Sequence, residues 1–201
     1  MSIPELRTAR LRLRGWLERD RAPYRAMNAD PEVMRHFPNP LDSAASDALL
    51  ESLTPQWAEH EFGGWIIERL DDGAFLGVTG LSRPSFEAHF TPAVEVGWRY
   101  ARAAWGHGYA TEAARAALEF GFETIALPEI VSFTVPANER SWRVMERLGM
   151  HRDPADDFDH PRLAEGHPLR RHVLYRLRAS EWRGGRAAEP TRDRSRPNFA
   201  R

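Results

Sequence analysis

One stretch constrains this chain more than any other. Val94 to Tyr100 alternates like a strand, Trp105-Gly-His-Gly-Tyr forms a glycine turn, and Gly108 to Phe122 continues as an Ala-rich helix. A strand that feeds a helix through such a turn belongs to a layered α/β structure. The alternation continues with a strand at Ile130 to Val135, a helix from Asn138 to Leu148 stopped by Gly149, and a last strand from Arg171 to Leu177.

The first half of the chain is richer in neighbouring strands. Leu11 and Leu13 alternate with Arg10, Arg12 and Arg14 in the two-residue period of a half-buried strand, predicted over Thr8 to Trp16. Asp20 caps a helix with Pro23 near its start, and Asp30-Pro31 opens a short helical turn through Met34. Ser43 to His60 carries Leu49, Leu50, Leu53 and Trp57 at helical spacing, with Pro55 kinking or breaking it. Trp65 to Leu70, the turn Asp71-Asp72-Gly73 and Phe75 to Leu81 predict a hairpin, followed by a loop from Pro84 to Pro92. Strands run together at first and then alternate with helices. The expected fold class is therefore α/β, with an α+β-like mixed sheet covered by helices on both faces. Asp153 to Pro168, rich in Asp, His and Pro, reads as a surface loop.

The 201 residues suffice for one domain, expected over residues 1–182. Residues 183–201 are Arg-rich, lack an apolar period, and read as a disordered tail. A net charge of −1 argues against a nucleic-acid binder driven by excess positive charge. No apolar run approaches the ~20 residues of a membrane span, and Met1-Ser2-Ile3-Pro4-Glu5 begins no signal peptide, so the expected location is cytoplasmic. The absence of Cys removes disulfides, thiolate zinc sites and thiol nucleophiles. All 28 basic residues are Arg, so no Lys is available as a Schiff-base nucleophile or a general base.

The turn from Gly106 to Thr111 directs backbone N–H groups to one point at a helix N-terminus, where the helix dipole favours negative charge. It is a candidate anion cradle. Tight turn geometry alone is the other use of a Gly-x-Gly pair. Neither phosphate-loop nor dinucleotide-binding spacing is present, since Lys is missing and position 111 is Thr. His160, His167 and His172 lie near Asp156, Asp157 and Asp159, but their spacing matches no closed zinc motif, and no metal is expected.

Three segments in order resemble the GNAT acetyltransferase superfamily, and within it the RimJ/RimL-like branch, over most of residues 8 to 177. They are Thr8-Ala-Arg-Leu-Arg-Leu-Arg, Trp105-Gly-His-Gly-Tyr-Ala-Thr-Glu-Ala, and Asn138-Glu-Arg-Ser-Trp-Arg-Val-Met-Glu-Arg-Leu-Gly-Met. The resemblance implies a twisted mixed sheet whose fourth and fifth strands splay apart around the pantetheine of acetyl-CoA, the co-substrate. It implies pantetheine contacts from the backbone of Trp98 and Tyr100. It implies a pyrophosphate site along Trp105, Gly106, His107, Gly108, Tyr109, Ala110 and Thr111, carried by the amides of His107, Gly108, Ala110 and Thr111. Asn138 and Ser141 would flank the thioester.

Two departures stand out. Trp105 occupies a position where the family often has Gln or Arg, removing a charged helper. Met145 stands where many members place a Tyr acid, so Ser141, or a water it orients, is the candidate to protonate the leaving thiolate. A Ser that merely bonds to the preceding helical turn is the plain alternative. Glu95 lies near a position where some members carry a catalytic carboxylate and is the candidate base, with a solvated or Arg-paired Glu as its alternative. Glu112 reads as structural, paired with Arg115 or another Arg.

The implied activity is acetyl transfer to a primary amine, either a protein N-terminal α-amine or a small molecule, in a ternary complex without an acyl-enzyme. A non-catalytic acyl-CoA-binding or regulatory module of the same fold is the alternative. A homodimer is compatible with the sequence.

Overall fold

The computed structural model describes residues 3–184; most of the expected tail, residues 185–201, lies outside the described residues. In chain order the elements are β1 (Leu6–Arg7), β2 (Leu11–Arg14), α1 (Arg21–Ala29), α2 (Ser43–Glu51), α3 (Leu53–His60), β3 (Gly64–Arg69), β4 (Phe75–Ser82) and β5 (Glu95–Tyr100). These are followed by α4 (Tyr109–Glu119), β6 (Glu129–Thr134), α5 (Glu139–Arg147), β7 (His151–Arg152), β8 (Phe158–Asp159), β9 (Arg171–Arg178) and α6 (Ala179–Gly184). The strand order is β1-β2-β3-β4-β5-β6-β9-β7, with β8 also on β9. Every pairing is antiparallel except β5 with β6, which makes the sheet mixed as expected.

Four local outcomes differ from the pattern in the sequence. The strand predicted over Thr8 to Trp16 is only Leu11–Arg14. Thr8 and Leu11 close a tight turn, Thr8 N donating to Leu11 O at 2.9 Å and Leu11 N to Thr8 Oγ1 at 3.0 Å, so Leu6–Arg7 folds back as a partner. The helix over Ser43 to His60 breaks at Ser52, and Pro55 is the third residue of α3, where its missing N–H forfeits no intrahelical bond. The stretch from Asp153 to Pro168 is not wholly a surface loop, because Phe158 is buried and pairs with His172. Finally, α6 runs to Gly184, past the boundary expected at residue 183.

The sheet carries helices on both faces. Tyr24 and Met27 of α1 and Leu50 of α2 pack with Ile66 on one face. On the other, Ala113, Ala114, Ala117 and Leu118 of α4 pack with Leu11, Leu13, Val96 and Ile130. The alanines let the α4 backbone come close to the strands and fix where its N-terminus sits. Beneath the first face lies a buried ion cluster. The Arg14 guanidinium bonds Asp20 at 2.6 and 2.9 Å and Glu68 at 2.8 Å, so two carboxylates surround the buried cation. No described helix is long and apolar enough to cross a membrane.

Candidate active site

The site begins where the sheet comes apart. Glu95 faces Val131 in the single register pair that joins β5 to β6, and beyond it the two strands are unpaired. At the closed end Val131 N donates to Val94 O at 2.8 Å, and Ser132 Oγ donates to Val96 O at 2.8 Å. Residues 94 and 96 therefore present their backbones toward β6. By two-residue alternation, so do Trp98 and Tyr100 further along, where β6 has diverged. The other edge of β5 stays paired with β4 from Ser82↔Glu95 to Gly77↔Tyr100. The resulting cleft of about 2090 Å³ exceeds the roughly 300–1,000 Å³ of an ordinary small-molecule pocket. It has room for two reactants.

At the open end, Gly106 and Gly108 have φ of +82° and +79°, a left-handed geometry that glycine adopts without strain. Gly108 caps α4, and the first intrahelical bond is Glu112 N to Gly108 O, so the amides of residues 109–111 have no partner within the helix. A Cβ added at Gly106 would meet nothing within 4 Å, so the turn faces open space. Glu112, in the first turn of α4, is held away from this point. Thr8 Oγ1 donates to Glu112 Oε1 at 2.6 Å, and Arg10 donates from its backbone N at 2.9 Å and from Nε to Glu112 Oε2 at 2.7 Å. Burial alone would raise the pKa of this carboxyl, but those donors hold it below the usual range. Its partner is Arg10, while Arg115 donates instead to Arg147 O. Arg10 also donates to His107 O at 3.0 Å and lies over the Tyr109 ring, tying the first strand region to the turn.

Trp105 does not leave the turn without a cation nearby. Its indole donates to Tyr100 O at 2.9 Å, and the Arg140 guanidinium carbon lies 4.6 Å above its ring. Nothing in the sequence flagged Arg140, since the contact depends on α5 crossing the mouth of the cleft.

Among the proton-transfer candidates, Glu95 lines the cleft, and its carboxylate has no hydrogen-bond or ion-pair partner among the described residues. Burial pushes its carboxyl up to about 8. Asn138 Nδ2 donates to Thr134 Oγ1 at 2.9 Å, joining the start of α5 to β6. Ser141 lines the same cleft; its backbone N donates to Asn138 O, and its hydroxyl makes no hydrogen bond to the preceding turn. Met145 is 1% exposed in the core and does not line the cleft, so this position contributes no proton donor.

The far end is walled by rings. Phe86 lies 4.5 Å from His160 between ring centroids, and His160 lies 5.2 Å from His172. Burial holds both imidazoles below the usual histidine range. Asp156 and Asp157, grouped with these histidines in the sequence, instead pair with Arg176 and Arg152. On the α1 side of the sheet the cleft reaches Arg99, whose Nη1 donates to Asn28 Oδ1 at 2.7 Å.

Comparison with known proteins points one way. Residues 10–151 match the family model described as acetyltransferase (GNAT) domain. The chain is 34% identical to the uncharacterized protein YkkB of Bacillus subtilis over 153 residues, covering 73% of this chain and 85% of that protein. It is 29% identical over 208 residues to an FsC-acetyl coenzyme A-N(2)-transacetylase of Aspergillus fumigatus, covering 98% of this chain and 86% of that one. The crystal structure of an acetyltransferase from Agrobacterium tumefaciens superimposes with a TM-score of 0.71 at 31% identity, over 88% of this chain and 95% of that chain. Mycobacterium smegmatis RimJ in complex with CoA-disulfide shares the fold, with a TM-score of 0.68 at 20% identity over 85% and 83% of the two chains.

Proposed function

The chain belongs to the GNAT acetyltransferase family, and from that premise we propose that it moves the acetyl group of acetyl-CoA directly to a primary amine in a ternary complex. The observation that carries this reading is the opening of the sheet after the Glu95–Val131 pair, with a left-handed glycine turn and a helix N-terminus without a side-chain cap at its mouth.

Acetyl-CoA supplies an activated thioester. In our reading the amides of His107, Gly108, Ala110 and Thr111 hold its pyrophosphate, aided by the α4 dipole. Arg140, stacked on Trp105, adds a positive charge beside them. The backbones of Trp98 and Tyr100 pair with the pantetheine amides in place of the missing β6 partner. Glu95, free of any competing cation, takes a proton from the acceptor ammonium so that its nitrogen gains a lone pair. That nitrogen bonds to the acetyl carbon as the carbon–sulfur bond breaks, and Ser141, or a water it orients, returns a proton to the thiolate. With no Cys in the chain, no thioester forms on the protein.

The acceptor is an N-terminal α-amine, as in the RimJ/RimL-like branch, or a small-molecule amine. At pH 7 an amine of pKa ~8 is neutral in about a tenth of molecules, against roughly 0.04% at 10.4, so the weaker base needs less help. The catalytic unit, expected over residues 1–182, takes in α6 to Gly184 and acts without a metal. Calorimetric titration with acetyl-CoA, followed by CoA release against peptides and small amines, tests the proposal. Binding with turnover of at least one amine is expected; binding without acetyl transfer to any amine would leave a regulatory module of the same fold.

A further inference from the structure

Arg99 is treated differently from every other interior cation among the described residues. Arg14, more deeply enclosed, is neutralised by two carboxylates. Arg99 has none: its only hydrogen-bond acceptor among the described residues is the neutral amide oxygen of Asn28, and its Nε is buried without a partner. The other buried nitrogen without a hydrogen bond, Arg170 Nε, lies 3.4 Å from Asp159 and has a counter-charge. Burial lowers the pKa of Arg99 from the ordinary guanidinium value.

The side chain is nonetheless held in place. Asn28 is fully buried and donates to Ser46 Oγ at 2.9 Å, which orients the oxygen that receives Arg99. Phe37 covers the guanidinium at 4.1 Å and lines the same cleft. A cation ordered by neutral groups, partly desolvated and open to a reactant cleft, carries a charge that a ligand can complete. Paired surface arginines contribute little to recognition, but a preorganised guanidinium binds carboxylate or phosphate in a planar two-point geometry.

Resting on the acetyltransferase reading above, we infer that Arg99 is a specificity-determining residue that selects an acceptor amine bearing an anionic group, a carboxylate or a phosphate. Arg99 and Glu95 lie on the same face of β5, four residues apart, or about 13 Å between Cα atoms at the usual rise. The amine and the anion of the acceptor are thus several bonds apart. An α-amino acid, with its amine next to its carboxylate, fits less well than an extended ω-amino acid or aminoalkyl phosphate.

The test compares three series of primary amines of equal length: ω-amino carboxylates, their neutral methylamides, and aminoalkyl phosphates. CoA release is measured with the wild type and with Arg99→Gln, which keeps a donor for Asn28 but removes the charge, and Arg99→Lys, which keeps the charge. Wild type is expected to favour one anionic series over the methylamides at least tenfold in kcat/KM, and the better series identifies the anion. Arg99→Gln loses that preference through a KM increase of at least tenfold, and Arg99→Lys retains part of it. Equal use of methylamides by the wild type, or an undiminished preference in folded Arg99→Gln, overturns the inference. So does weakened acetyl-CoA binding in Arg99→Gln, which would assign the residue to a phosphate of CoA. If no amine is acetylated, the reading of activity fails separately, and titration of the CoA complex with each series still decides the point. Selective binding of the anionic series that is lost in Arg99→Gln supports the inference, and equal binding refutes it.

Discussion

Replacing Glu95 by Gln removes a carboxyl that burial has moved from its ordinary 4.5 up to about 8. Two independent quantities respond. For an acceptor of pKa near 10.4, the wild-type rate follows ionisation of Glu95, rising about tenfold per pH unit below 8 and levelling above it. The Gln variant depends on amine already neutral in solution and keeps climbing toward the amine pKa. A deficit of about 10²–10⁴ at pH 7 therefore shrinks roughly 50-fold between pH 8 and 10, as those two pKa values dictate. Stability gives the second readout. A folded-state carboxyl pKa above the unfolded one means that the folded protein holds the proton more tightly, so stability is lost as pH rises from 4.5 through 8. At 1.36 kcal/mol per pH unit the full loss is at most about 5 kcal/mol, less where cleft water screens the charge. The Gln variant should melt well above wild type at pH 9 and close to it at pH 5. The assay is CoA release across pH 6–10 with one strongly basic amine, alongside thermal melts. Parallel pH–rate profiles for the two proteins would refute Glu95 as base, and a melting difference independent of pH would refute its burial as a poorly solvated acid.

Three further outcomes are expected. Ser141→Ala should bind acetyl-CoA normally, because the pyrophosphate turn is on another helix, while turnover falls by about 10–10³, the scale of one acid or orienting group; calorimetry and initial rates separate the two effects. Gly108→Val should weaken acetyl-CoA binding in calorimetric titration. At φ +79° it should also cost about 1–2 kcal/mol of stability or more, measured by denaturant titration. Asp20→Ala strips one carboxylate from buried Arg14 and leaves Glu68 alone to neutralise it; a loss of about 3–5 kcal/mol is expected, and a melt within a degree of wild type would show that the cluster relaxes freely.

The sequence by itself determined the elements that rest on local chemistry. The alternation of Leu11 and Leu13, the Asp-Asp-Gly hairpin turn, the glycine turn before α4 and the Gly149 stop each reflect a period or a backbone preference contained in a few neighbouring residues. The resemblance in three ordered segments extended this to the fold class and to the residues beside the cleft. Other features depended on residues far apart in the chain. Thr8 and Arg10 meet Glu112 across more than a hundred positions, which turns Glu112 away from the anion site. Arg140 reaches Trp105 only because α5 crosses the cleft mouth. Nothing local distinguishes Glu95 from a solvated strand carboxylate, or Arg99 from a surface cation. What separates them is the solvent that packing excludes and the partners it withholds, and those are properties of the assembled tertiary structure.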